Sequence, residues 1–119
     1  MNDNVKIRNL VYTDEFNDFY EALDERTKQK FDDNLKILRT VYAISTKFVK
    51  KLVSTDENLY ELIVSVGFNE YRGIMFSANH DNIIQATEVY ILNGFLKKST
   101  KDYSKQINKA INILNTLEL

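Results

Sequence analysis

Leu59-Tyr60-Glu61-Leu62-Ile63-Val64-Ser65-Val66-Gly67-Phe68-Asn69-Glu70-Tyr71-Arg72-Gly73-Ile74-Met75-Phe76-Ser77 is the stretch that decides the fold. Both halves are dense in aliphatic, aromatic and β-branched side chains, which suit a pleated, packed surface. Gly67-Phe68-Asn69-Glu70 lies between them and carries the turn residues of an antiparallel hairpin. Residues 87–96 have the same strand-like composition, and Asn79-His80-Asp81-Asn82, in a connection that can run on to Ala86, separates them from Ser77. Residues 59–66, 71–77 and 87–96 therefore read as a three-stranded antiparallel meander.

Working outward, Val5, Ile7, Asn9 and Val11 alternate with Lys6, Arg8, Leu10 and Tyr12, the pattern of a short strand. Thr13 or Asp14 can cap a short helix that carries Phe16, Phe19, Tyr20 and Leu23. Asp24 can cap a longer helix whose stripe is Phe31, Leu35, Leu38 and Tyr42, with Val41 beside it. Residues 45–51 read as a connection. Downstream of the meander, Asp102 can cap a final helix with Ile107, Ala110, Ile111, Leu114 and Leu117 on one face. The order predicts a single α+β domain over residues 1–119, an antiparallel sheet with helices on one side and an open face on the other.

Composition limits the chemistry. The 119 residues include no cysteine, which excludes thiolate metal sites, iron–sulfur clusters and cysteine nucleophiles and fits a reducing cytoplasm. No apolar run approaches the roughly 20 residues needed to cross a bilayer, and Met1-Asn2-Asp3-Asn4-Val5-Lys6 lacks the pattern of a secretory signal. The expected location is the cytoplasm, with no membrane partner. A lone His80 and three glycines without a phosphate-binding pattern give no basis for a metal or nucleotide cofactor. The net charge of −1 conceals a division: residues 14–34 hold eight acids against three bases, whereas Lys47, Lys50 and Lys51 form one basic cluster and Lys97, Lys98, Lys101 and Lys105 another.

Four segments, in order, carry a resemblance: Phe48-Val49-Lys50-Lys51-Leu52, Asn58-Leu59-Tyr60-Glu61-Leu62, Glu70-Tyr71-Arg72, and Asn93-Gly94-Phe95-Leu96-Lys97-Lys98-Ser99. The series resembles the HigB-like, phage-derived branch of the RelE/ParE toxin superfamily. The resemblance implies a RelE/ParE-like fold and a type II toxin–antitoxin toxin. It further implies a ribosome-dependent mRNA endoribonuclease that inhibits translation without a cofactor, neutralised by a cognate antitoxin, a helix-turn-helix DNA-binding protein. One departure is pointed: the branch places Arg after Tyr-Glu-Leu, where this chain has Ile63, which cannot contact a phosphate.

Metal-independent RNA cleavage requires a base for the 2′-hydroxyl, a cation for the phosphate and an acid for the leaving oxygen. Arg72 matches the Tyr-Arg position, and its planar fork suits phosphate; pairing with Glu61 or Glu70 across the sheet is an equally weighted reading. Lys50 is a candidate for gripping RNA or serving as base, and Glu61 for a base or, with more weight, a structural partner of a cation. Lys47, Lys51, Lys97, Lys98 and Lys101 are candidate RNA-backbone contacts, although Lys97 and Lys98 must leave the strand on opposite sides. Ile63 and the near-zero charge also allow a non-catalytic ParE-type toxin acting on gyrase or another replication protein, or a degenerate module that only binds its antitoxin.

Overall fold

The computed structural model describes residues 6–119, so Val5, read above as part of the first strand, lies outside the described residues. In chain order the elements are β1 (Asn9–Tyr12), α1 (Asp14–Glu21), α2 (Glu25–Thr40), β2 (Val49–Lys51), β3 (Leu59–Val66), β4 (Asn69–Ser77), β5 (Glu88–Leu96) and α3 (Thr100–Thr116). The strands form one sheet in the order β1-β5-β4-β3-β2. The class is α+β and the meander β3-β4-β5 is present, with three corrections to the detail.

First, residues 49–51 are a strand rather than connection, pairing with β3 in antiparallel fashion. Second, β1 lies parallel to β5, with Asn9 opposite Glu88 and Tyr12 opposite Ile91, so the sheet is mixed. Third, helices cover both faces. Tyr60, Leu62, Val64, Met75 and Ile91 pack with Phe16, Phe31 and Leu38 of α1 and α2. Leu59, Ile74, Leu92 and Phe95 pack with Ile107, Ala110 and Ile113 of α3. A strand buried on both faces reads as a continuous apolar run rather than an alternating one, and Leu59-Tyr60-Glu61-Leu62 has that character, all four residues being buried. Burying a side chain such as Phe31 or Leu62 contributes roughly 1.5–3 kcal/mol against the entropy of ordering the chain.

Local chemistry sets the element ends. The side chains of Thr13 and Asp24 accept from the backbone N–H groups of Phe16 and Thr27, capping α1 and α2 as their sequences predict. The cap of α3 is Ser99, not Asp102: the Ser99 hydroxyl accepts from the Asp102 N–H, and Asp102 adds its charge to the first turn. The helix α2 ends at Thr40, which leaves Tyr42, expected on its apolar stripe, exposed beyond it. Gly67 has φ of +60° in the β3–β4 turn, a conformation that a side chain disfavours. At Gly94 a Cβ would lie 2.3 Å from the Phe19 ring, so this glycine is what lets α1 seat an aromatic ring on β5.

Arg8, which the alternation presents as an ordinary strand residue, is fully buried. Its guanidinium donates to the carbonyls of Ile83 (2.9 Å), Leu38 (2.9 Å), Val41 (2.6 Å), Tyr42 (2.8 Å) and Ile84 (2.8 Å). One side chain thus ties the end of α2 to the β4–β5 connection and satisfies carbonyls that the helix terminus leaves free.

Candidate functional site

The antiparallel register fixes which polar residues share a face. Lys50 stands opposite Glu61 on the neighbouring strand, and Ile63 opposite Arg72. Direct partners project to the same side of a sheet, and here that side is the one covered by α3, since the Tyr103 hydroxyl donates to the Glu61 carboxylate. Tyr71, one residue from Arg72, points the other way into the α1/α2 core.

Arg72 is 8% exposed. Its Nη1 donates to Glu70 Oε1 at 3.1 Å and to the Tyr71 carbonyl at 2.9 Å. Its Nε lies 3.8 Å from Glu61 Oε2 and, though buried, makes no hydrogen bond. The pairing with Glu61 and Glu70 is thus the observed geometry, and the guanidinium retains a donor without a partner. Lys97 stands just beyond β5, its Nζ 5.3 Å from the Tyr103 ring centroid, where the ring's quadrupole attracts a cation. Its backbone N–H donates to the Glu70 carbonyl at 2.7 Å, fixing the chain beside the cluster.

The other expected residues divide. Lys51 turns to the opposite face, its Nζ 4.8 Å from the Tyr60 ring centroid. Lys47, Lys98 and Lys101 are exposed, Lys47 before β2, Lys98 just past β5 and Lys101 in the first turn of α3. The sheet therefore gathers Glu61 and Arg72, with Lys97 against the neighbouring Tyr103 ring and Lys50 in register beside Glu61. It does not bring all the basic residues into one pocket. Ile63, half-buried, holds the register position opposite Arg72 and brings an aliphatic side chain to that face where a cation would otherwise stand.

Tyr103 was not visible as a site residue in the sequence, because an aromatic at helical spacing before Ile107 reads as core. Burial, reinforced by its hydrogen bond to Glu61, holds its phenol well above the ordinary tyrosine range, so it remains a proton donor. The Glu70 carboxyl is held below its usual range, chiefly by a hydrogen bond from Ser65, with Arg72 adding to the effect and partial burial opposing it. The cluster thus holds a carboxylate already receiving a proton donor, a protonated phenol and a guanidinium, the group types that acid–base work at a phosphate uses. His80 lies in the β4–β5 connection, its Nδ1 accepting from the Asn82 N–H at 3.0 Å. Among the described residues, no group of three or more His, Cys, Asp or Glu side chains is placed to hold a metal ion. Nor, among them, is any helix long and apolar enough to cross a membrane.

Comparison with known proteins adds two findings. A family profile described as "Phage derived protein Gp49-like (DUF891)" matches residues 18–115. A solved structure of the Escherichia coli toxin RelE, a double arginine-to-alanine mutant in the free state, is similar with a TM-score of 0.59 and 11% sequence identity, covering 88% of this chain and 98% of that one. At that identity the likeness is one of fold, and it assigns the sheet and helices to the RelE-like arrangement. No curated protein matches the sequence.

Proposed function

The chain belongs to the Gp49-like family of phage-derived proteins, and from that premise we propose that it is the toxin of a type II toxin–antitoxin pair. In this reading it is a HigB-like endoribonuclease that works in the cytoplasm, cuts mRNA on the ribosome and so stops translation. The RelE-like fold and the resemblance described above support it. The observation that carries it is the placement of Glu61, Arg72 and Tyr103 in one cluster on the α3 side of the sheet.

The proposed chemistry uses those three groups. The 2′-hydroxyl oxygen attacks the adjacent phosphorus and the bond to the 5′ oxygen breaks, leaving a cyclic phosphate. Glu61 takes the 2′ proton, Tyr103 gives its proton to the departing oxygen, and the proton on Glu61 then returns to Tyr103. Arg72 releases Glu70 to hold the phosphate charge through paired donors. Lys50 and Lys97 grip the RNA backbone beside the cluster, Lys98 and Lys101 extend that grip, and Lys47 and Lys51 serve only RNA that rounds the β2 edge. No cofactor takes part. The cognate antitoxin, a helix-turn-helix protein, covers this side.

Induced expression is expected to halt growth, and primer extension on mRNA translated by purified ribosomes to reveal cuts. Replacing Arg72 with Ala is expected to lower cleavage on the order of 10²–10³-fold while the fold is kept. Arrest with intact messages counts against the nuclease. A second reading draws on the clasp of Arg72 by Glu70 and on Ile63 beside it. It is a non-catalytic toxin that binds gyrase or another replication protein, marked by a DNA-damage response without RNA cleavage. Harmless overexpression points instead to a module that only binds its antitoxin.

A further inference from the structure

The other side of the molecule carries a groove that RNA chemistry does not explain. Tyr12, Phe16 and Tyr20 stand as successive, nearly parallel rings, with centroids 5.8 Å apart at 27° and 6.4 Å apart at 29°. With Leu35 they line a hollow of about 180 Å³ between α1 and α2, whose polar lining includes Glu21 and Asp32. Tyr20 donates to Asp32 Oδ1 at 2.8 Å, so that carboxylate is fixed at the rim with a second oxygen to offer. Elsewhere on α1, Asp14, Glu15 and Asp18 are exposed and add to the negative charge of this part of the chain.

The chain shows what such a surface attracts. The Lys28 ammonium lies 5.7 Å from the Tyr20 ring centroid and 3.8 Å from both Glu21 and Glu25. A second cation, Arg39, acts on the Tyr12 hydroxyl. Neither offsets the excess of acids along residues 14–34. Aromatic faces beside carboxylates favour a cationic head on an apolar stem, which is the make-up of an arginine or lysine side chain.

We propose that this groove is a docking site for a basic peptide segment of a partner protein, one arginine or lysine of which inserts along the accessible Tyr12 and Tyr20 rings, over a floor made by the buried Phe16, with its charge at Asp32 and Glu21. The site is separate from the α3-side cluster and does not depend on the nuclease reading. Nucleic acid is repelled here by the same acids that attract the peptide.

The test uses the full chain and a fluorescent hexa-arginine peptide, with hexa-glutamate as control, read by anisotropy. Hexa-arginine is expected to bind and hexa-glutamate not. Removing both rim charges (Glu21→Gln with Asp32→Asn) should weaken binding about tenfold, and Tyr12→Leu, which leaves charge and fold intact, about threefold. Asp18→Asn, outside the groove, should change little. Three results overturn the proposal. One is absence of hexa-arginine binding. Another is equal loss with Asp18→Asn and none with Tyr12→Leu, which marks diffuse attraction to an acidic surface. The third is low-salt self-association that the peptide reverses and the rim substitutions abolish, which makes a second copy the occupant.

Discussion

Two arginines are buried in this small domain, and they are held in opposite ways. Arg8 is fully enclosed and gives its donors to five backbone carbonyls. Arg72 is nearly as enclosed, yet its partners are two carboxylates and one carbonyl, and its Nε is left without a hydrogen bond. A buried guanidinium that is fully satisfied by the main chain is part of the fold, because removing it orphans every acceptor at once. One gathered among ionisable side chains, with a donor to spare, costs stability to keep and is arranged for something else.

The contrast is sharpest for Arg8→Met. Orphaning these carbonyls should cost about 3–5 kcal/mol, and chemical denaturation should find the variant largely unfolded or with a much lower midpoint. If it unfolds like the native chain, Arg8 is not the staple described. Tyr103→Phe comes next, with an expected loss of about 0.5–1.5 kcal/mol from one hydrogen bond and, on the proposed chemistry, cleavage reduced on the order of 10²-fold. Arg72→Met combined with Glu61→Gln, which leaves the Tyr103 hydroxyl an acceptor and no buried charge of the pair behind, should shift stability by under about 1 kcal/mol; a loss as large as that of Arg8→Met erases the distinction.

The smallest effect concerns pH. The Glu70 carboxyl is held below its ordinary value of 4.5 by Ser65 and then by Arg72. Its contribution is therefore complete above the unfolded value and fades as pH falls through the lower folded one. Thermal unfolding of the native chain and of Glu70→Gln should differ at neutral pH and converge in acid below about 4.5. A difference that grows on acidification reverses the assignment.

Much of the fold is legible because hydrophobic spacing and capping are local. The strands β3, β4 and β5 and the Thr13 and Asp24 caps follow from residue type within a few positions. What is not legible is partnership. β2 is three residues long, too short for periodicity to mark, and exists because β3 offers it a register. Alternation in β1 indicates a strand but not that its neighbour is β5, nor that the pairing is parallel. Coverage of both faces is encoded in β3 by apolar residues at both parities, Leu59 and Ile63 on one side and Tyr60, Leu62 and Val64 on the other, a signal that an antiparallel hairpin reading passes over. At the site, Glu61 and Arg72 were legible as charges inside strands, whereas Tyr103 needed α3 to be on their side of the sheet. The apolar groove of α1 and α2 was partly visible as an acidic stretch, but the stacking of its rings depends on how β1 leads into α1.

The parallel pairing of β1 with β5 has a consequence for synthesis. A polypeptide made from its N-terminus brings out β1 first, while the strand it must join and the Ile83 and Ile84 carbonyls that receive Arg8 emerge late. Pairings between distant parts of a chain must await the later part. The nascent chain thus carries β1 without its neighbour until β5 has followed it out of the ribosome, and the sheet closes only then.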